Sequence, residues 1–138
     1  MKQLARTLQV LLALLLCATA VGKVLDVPGF VAVIRTYEAL PEFALWPVAV
    51  GMIAIEATLA LLLALAVKPR RTATACALLH VAFATWAVIA LVRGLHVPNC
   101  GCFGVFLVRP LTWSTVCEDG VVVAVSLWLW RLLRPPAS

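Results

Sequence analysis

Two cysteines stand one residue apart in the segment Asn99-Cys100-Gly101-Cys102-Phe103-Gly104. A Cys-x-Cys pair can close a small disulfide ring, offer two thiolates to one metal ion, or supply one attacking and one resolving thiol. Gly101 is the intervening residue best able to take the backbone angles that a small ring requires. Which use applies depends on the compartment that the segment faces, because cytosolic thiols are kept reduced.

The composition is that of an integral membrane protein. Of the 138 residues, 64% are apolar and 12% are charged, and the mean hydropathy is +1.10. Soluble domains carry about twice this share of charged residues. We therefore expect a single membrane domain over residues 1–138, with no room for a separate soluble catalytic domain.

Four apolar stretches predict four transmembrane helices, since about 20 residues cross a hydrocarbon core of about 30 Å. They lie at about 8–22, 45–67, 72–92 and 111–133. Helices are favoured over barrel strands, which are about ten residues long and alternate in polarity. The predicted fold is thus all-α, a four-helix bundle within the bilayer.

The first stretch has an alternative interpretation. Lys2 and Arg6 precede the apolar run and Ala18-Thr19-Ala20 follows it, which is also the order of charge, apolar core and small residues in a secretory signal. Cleavage after Ala20 would leave three spans. We favour retention as the first span, which keeps both termini on one side.

The positions of Lys and Arg predict the orientation, because short cytoplasmic flanks are enriched in these residues. Seven of the eleven lie beside the chain termini or between the second and third stretches: Lys2, Arg6, Lys68, Arg70, Arg71, Arg131 and Arg134. We expect an N-in, C-in, multi-pass protein of the cytoplasmic membrane, with the cysteine loop on the outer face. This topology accounts for the net charge of +5, so no nucleic-acid partner is expected.

An outer location favours redox chemistry for Cys100 and Cys102, because disulfides persist outside the cytosol. Strain in a small ring makes its disulfide easier to reduce, whereas a ring this small would do little as a structural staple. The pair is therefore the candidate catalytic site of thiol–disulfide exchange, with the attacking thiol unassigned. One alternative is a soft-metal-binding or transport module, for which His96 is the only nearby imidazole and the ligands are too few. Another is a non-catalytic scaffold for a partner enzyme.

The other cysteines are sorted by depth. Cys117, about one turn inside the outer end of the fourth stretch, is a candidate third catalytic thiol. Cys17 and Cys76 are interpreted as small residues packed between helices.

Polar residues within the stretches form a second group of candidates. Glu56 lies near the bilayer midplane, where an isolated charge is costly, and His80 is expected at a similar depth. We predict a hydrogen bond or ion pair between these two side chains, which either supports proton transfer or fixes helix register. Asp119, beside Glu118, interrupts the fourth stretch, and Lys23 at the outer end of the first is their simplest partner.

The first outer loop is predicted to contain a short interfacial helix that begins near Pro28. Its apolar side would carry Phe30 and Tyr37. This segment either covers the cysteine loop or lies on the membrane surface, and the second arrangement is the one we expect.

Taken in order, these residues resemble the MauE group of methylamine-utilisation proteins, within the wider set of DoxX-like four-helix membrane proteins. The resemblance covers most of the chain and is carried by the following elements: Gly22-Lys23, Phe30, Tyr37, Leu40-Pro41, Glu56, Cys100-Gly101-Cys102-Phe103-Gly104, Trp113 and Asp119. One departure is Glu118, which stands where a basic residue is expected before the acidic one.

The resemblance implies thiol–disulfide handling outside the membrane. In the MauE group this means assisting disulfide formation in the small subunit of methylamine dehydrogenase, together with an extracytoplasmic thioredoxin-like partner. No residue requires a cofactor, although an apolar bundle would suit a quinone as electron acceptor.

Overall fold

The computed structural model describes residues 1–133, and this part of the chain is helical. Its five helices are α1 (Lys2–Val24), α2 (Val27–Arg35), α3 (Glu42–Ala64), α4 (Pro69–Val92) and α5 (Trp113–Leu132). Helices α1, α3 and α4 are long and apolar enough to cross a membrane. Helix α5 has 20 residues but is not among these three, since it contains Glu118 and Asp119 as well as Arg131 near its end.

The four long helices contact one another in a closed order. Helix α1 packs against α3 and α5, and α4 packs against the same two helices. The core has two parts. One consists mainly of leucine and alanine side chains of α1, α3 and α4, and the other joins α2 to α3, α4 and the loop before α5.

The basic flanks share one end of this bundle. The Arg6 guanidinium donates a hydrogen bond to the carbonyl oxygen of Ala64 at 3.1 Å, which ties the start of α1 to the end of α3. The Arg70 guanidinium lies 4.3 Å from the centroid of the Trp130 ring, which ties the start of α4 to the end of α5. The start of α1, the end of α3, the start of α4 and the end of α5 therefore lie at one end of the bundle. Arg134 lies outside the described residues.

Helix α2 and the cysteine loop lie together at the opposite end. The Asp26 carboxylate caps α2 by accepting a hydrogen bond from the Gly29 backbone N–H at 2.8 Å, and Pro28 occupies the first turn, where its missing N–H costs nothing. The predicted helix is therefore present. Its apolar side was expected on the membrane surface, and this expectation is wrong: Phe30 and Ile34 are buried in the protein core.

Candidate functional site

A cavity of about 460 Å³ lies between the long helices and α2. It brings together six of the predicted site residues: Lys23, Glu56, His80, Cys100, Cys102 and Asp119. These residues come from five segments of the chain, namely α1, α3, α4, the cysteine loop and α5. The packing of the helices against one another is what brings them together.

The loop that carries the cysteines is held by Asn99. Its side-chain amide donates to the Gly104 carbonyl oxygen at 3.0 Å, and its side-chain oxygen accepts from the Gly101 backbone N–H at 3.0 Å. Both glycines have positive φ, of 77° for Gly101 and 68° for Gly104, a region that L side chains rarely adopt. Asn99 was not predicted as a site residue, although asparagine commonly bonds to nearby backbone groups in turns.

The same loop rests directly on the end of α1. A Cβ atom added to Gly22 would lie 2.4 Å from the Phe103 carbonyl oxygen, and one added to Gly104 would lie 2.1 Å from the Gly22 carbonyl oxygen. Two glycines therefore allow the backbones of loop and helix to touch. This contact places Cys102 beside the helix end that carries Lys23.

On its other side the loop is bonded to the α2 segment. The Tyr37 hydroxyl donates to the Cys100 carbonyl oxygen at 2.8 Å. Burial raises the pKa of Tyr37, with the nearby Cys100 charge as a smaller cause, so the phenol stays protonated and remains a donor. Helix α2 thus covers the cysteine loop, which is the arrangement that the sequence left as the less expected one.

The two thiols differ in acidity. Their sulfur atoms lie 3.1 Å apart, within reach of a thiol–thiolate hydrogen bond. That hydrogen bond is the main reason why the pKa of Cys100 is lowered to about 6, and the Cys102 backbone N–H and Arg109 assist it. The same bond, together with burial, raises the pKa of Cys102. Cys100 is therefore the thiolate at neutral pH, and Cys102 is its protonated donor.

Arg109 acts on Cys100 through both its backbone and its side chain. Its carbonyl oxygen accepts from the Cys100 backbone N–H at 2.7 Å, and its guanidinium lies close enough to lower the pKa of Cys100. The guanidinium also pairs with the Glu118 carboxylate. Arg109 was not predicted as a site residue. The partner of Glu118 is thus Arg109 in the adjacent loop, and not Lys23 as predicted.

Lys23 pairs with Glu56 inside the bundle. The ammonium lies 2.7 Å from both carboxylate oxygens, and only 2% of Lys23 and 1% of Glu56 are exposed. The Lys23 nitrogen also lies 5.5 Å from the Phe30 ring centroid and 5.9 Å from that of Phe83. The predicted pairing of Lys23 with Glu118 and Asp119 is therefore wrong.

His80 is not the partner of Glu56. Its Nδ1 lies 3.0 Å from the Cys76 carbonyl oxygen, one helical turn earlier in α4. The predicted bond between Glu56 and His80 is thus wrong, although both side chains line the cavity. Similar depth does not bring two residues into contact, because Glu56 lies on the side of α3 that faces α1.

The remaining cysteines lie elsewhere. Cys76 is fully buried, which agrees with its interpretation as a packing residue. Cys17 and Cys117 are exposed, and neither lines the cavity. The structure therefore does not place Cys117 beside the cysteine pair, as its predicted role as a third thiol requires.

Metal ligation was the alternative use of the pair. Within residues 1–133, no group of three or more His, Cys, Asp or Glu side chains is arranged to hold a metal ion. Two thiolates alone leave a tetrahedral zinc site half complete. The Glu56 carboxylate in the same cavity is already paired with Lys23.

A family model and two curated relatives that match this chain carry the same family name. A family model described as methylamine utilisation protein MauE matches residues 1–132. The methylamine utilization protein MauE of Paracoccus denitrificans is 34% identical over 120 residues, which cover 87% of this chain and 64% of that relative. The protein of the same name from Methylorubrum extorquens is 29% identical over 128 residues, which cover 92% and 69%.

This chain therefore spans just under two thirds of the Paracoccus relative. No solved structure matches it. The family match nonetheless extends over all five helices and includes every residue that lines the cavity. From this match, the chain belongs to the MauE family of methylamine utilisation proteins.

Proposed function

We propose that Cys100 and Cys102 exchange electrons with a thioredoxin-like protein on the outer side of the cytoplasmic membrane, by thiol–disulfide exchange. The observation that carries this proposal is the 3.1 Å separation of the two sulfur atoms together with the lowered pKa of Cys100. A thiolate is the nucleophile in exchange, and a second thiol within reach can resolve the mixed disulfide.

The reaction follows from these positions. The Cys100 thiolate attacks one sulfur of a disulfide in the partner, which forms a mixed disulfide and releases one partner thiolate. Cys102 then loses its proton and attacks the Cys100 sulfur, which closes the Cys100–Cys102 disulfide and releases the second partner thiolate. The pair has lost two electrons and the partner has gained them. The reverse sequence oxidises a partner dithiol.

The surrounding charges support this order. Arg109 stabilises the resting thiolate of Cys100. Lys23 lies near Cys102 and favours its ionised form, although burial and the thiolate beside it outweigh this effect. When Cys100 enters a mixed disulfide its negative charge is lost, so the largest cause of the raised pKa of Cys102 disappears. Cys102 then becomes the more easily ionised thiol at the step that needs it.

The proposed topology has four spans, with α5 as the fourth. The bundle end that carries Arg6 and Arg70 would face the cytoplasm, and the cysteine loop at the other end would face outward. Glu118 and Asp119, near the start of α5, would then lie at the outer interface and beside the cavity, where a charge costs less than at the bilayer centre.

The pathway is proposed from the relatives. Both carry the name methylamine utilization protein. We propose that this chain serves the same pathway, with the small subunit of methylamine dehydrogenase as the protein whose disulfides depend on it.

The test is to trap the mixed disulfide. Cys102→Ser leaves Cys100 without its resolving thiol, so a covalent complex with an extracytoplasmic protein should accumulate in cells and separate on reduction. Cys100→Ser in the same membranes is the matched control and should trap no partner through Cys102.

A second measurement tests topology and redox state together. Intact cells are treated with a membrane-impermeant maleimide before and after reduction, and the mass shift at the Cys100/Cys102 loop is measured. Reduction should raise the labelling by two groups. If the pair never becomes oxidised, or if the double Ser variant supports growth on methylamine as the wild type does, a scaffold function replaces the redox function.

A further inference from the structure

The cavity beside the cysteine pair has the size and walls of a small-molecule site. Its volume of about 460 Å³ lies within the range of roughly 300–1,000 Å³ that is typical of ligand pockets. The walls are mostly apolar and include five aromatic side chains: Phe30, Tyr37, Phe83, Trp86 and Phe103. Flat rings suit such walls, because aromatic side chains stack on them.

Among the polar side chains that line the cavity, Lys23 and His80 offer a hydrogen-bond donor and a hydrogen-bond acceptor. The Lys23 ammonium has three N–H groups, and its hydrogen bonds within residues 1–133 are the two to Glu56. A third N–H therefore remains. His80 Nδ1 lies against a carbonyl oxygen, which can only accept, so Nδ1 carries the ring proton and Nε2 is left as an acceptor.

The cysteine pair forms part of the same wall. A dithiol can become a disulfide only if another group takes two electrons. A quinone does so, and its chemistry matches the polar groups. Its carbonyl oxygens accept hydrogen bonds, as from Lys23, whereas the hydroxyls of the hydroquinone donate them, as to His80.

We propose that this cavity binds the ring of a lipid-soluble quinone, which reoxidises the reduced pair. The inference rests on the proposed function of Cys100 and Cys102. The Cys100 thiolate and the Cys102 thiol lose two electrons and form one S–S bond. The quinone gains those two electrons together with two protons, one from Cys102 and one from water, and leaves as the hydroquinone.

The cavity is open on the flank of the bundle. Ala82 of α4 lines it and is itself exposed. A quinone dissolved in the bilayer would enter there, so a bulky residue at this position should close the entrance. Because Ala82 is exposed, this substitution does not disturb the core.

The experiment uses the full chain in lipid nanodiscs, reduced, desalted and kept without oxygen. The probe is ubiquinone-1, whose ring is fully substituted and so does not add thiols. We expect one hydroquinone to form for each pair of thiols lost, as followed by absorbance and by maleimide labelling. The Cys100→Ser/Cys102→Ser variant sets the background.

Matched variants test the site itself. Ala82→Phe should weaken quinone binding and slow hydroquinone formation by at least about tenfold, which corresponds to about 1.4 kcal/mol. Val81→Phe adds the same bulk at the neighbouring position, which is exposed and does not line the cavity, and should react like the wild type. His80→Gln should raise the quinone concentration for half-maximal rate, with His96→Gln as its control.

The outcomes separate this inference from the function on which it rests. If the reduced protein exchanges with an oxidised thioredoxin-like protein but forms no hydroquinone, the quinone site is wrong and the exchange function stands. If neither reaction occurs, both are wrong. If Ala82→Phe and Val81→Phe react equally, the quinone reacts outside this cavity and the proposed site is wrong.

Discussion

The Lys23 ammonium contacts both carboxylate oxygens of Glu56 at 2.7 Å, and both side chains are buried between α1 and α3. A buried charge without a partner is far more costly than a buried pair. The pair therefore fixes how α1 sits against α3, and with it the position of Gly22, on which the cysteine loop rests. Gly22, the neighbour of Lys23 in α1, therefore connects the ion pair to the cysteine loop.

The first prediction concerns this ion pair. Glu56→Gln or Lys23→Met alone should lower the free energy of unfolding by about 3–5 kcal/mol, because each leaves one buried group unpaired. The double change Lys23→Met/Glu56→Leu should recover most of this loss. Denaturant unfolding in detergent micelles measures the three variants. The exposed pair Arg35 and Glu42 is the control, and its removal should have a much smaller effect. Equal losses in the single and double variants would contradict the pairing.

The second prediction concerns the contact between Gly22 and the cysteine loop. Gly22→Ala should destabilise the protein and displace the loop, because the new Cβ would meet the Phe103 carbonyl oxygen at 2.4 Å. Gly51→Ala is the matched control, since nothing lies within 4 Å of a Cβ added there. Its effect should be neutral or stabilising, by up to about 1 kcal/mol from helix propensity. Thermal unfolding and the alkylation rate of Cys100 are the measurements.

The third prediction concerns pH. Cys100 has a pKa of about 6, so its rate of alkylation by iodoacetamide should rise between about pH 5 and 7 and then level off, since only the thiolate reacts. Cys102 acts on it through hydrogen bonds, and the charged groups that act on it are Arg109 and Glu118. Cys102→Ala removes the largest cause of the lowered pKa, so the profile should shift towards the ordinary thiol range near pH 8.5. Arg109→Gln should shift it in the same direction by less.

A flat profile, or one centred on the ordinary thiol range in the wild type, would show that Cys100 is not the resting thiolate. The same measurement on the Cys100→Ala variant reports on Cys102. Its pKa should fall when the neighbouring thiolate is removed, because that thiolate is the main cause of the raised value.

The sequence predicted the helices better than the contacts between them. Hydropathy along the chain is a local property, so the apolar stretches located α1, α3 and α4. Most of the predicted ends lie within about three residues of the observed ones. Depth could also be counted along a helix, which placed Glu56 and His80 at one level. Which side of α3 carries Glu56 depends on the packing order of the helices, so its partner Lys23 could not be found in this way.

In the site, too, the local features were predictable from the sequence and the contacts between distant segments were not. The cysteine pair and its glycines were visible in one short segment, and so was Asn99, whose bonds reach no farther than Gly104. The contact of that segment with Gly22 joins residues that are about 80 positions apart in the chain. It became visible only when α1 and the loop were placed in the same fold.

The fourth prediction tests Asn99 as the support of the cysteine loop. Asn99→Ala removes both of its hydrogen bonds and should lower the free energy of unfolding by about 1–3 kcal/mol, since the groups it satisfies are buried. It should also slow closure of the disulfide, because the sulfur atoms are no longer held together. Asn99→Asp keeps the acceptor for the Gly101 N–H but loses the donor to Gly104, so its effects should be intermediate. Mass spectrometry of the quenched thiols gives the rate.

The fifth prediction separates the cysteines by role. Cys100→Ser and Cys102→Ser should each abolish turnover with the thioredoxin-like partner, because each removes one of the two sulfurs that form the bond. Cys117→Ser and Cys17→Ser should retain turnover within about twofold, since both residues are exposed and lie outside the cavity lining; a twofold change corresponds to only about 0.4 kcal/mol. A single turnover of the previously reduced protein in nanodiscs is followed by the reduction of the partner's disulfide. A loss of turnover in Cys117→Ser, with Cys17→Ser unaffected, would restore Cys117 as a third thiol and would require α5 to turn towards the loop during the reaction.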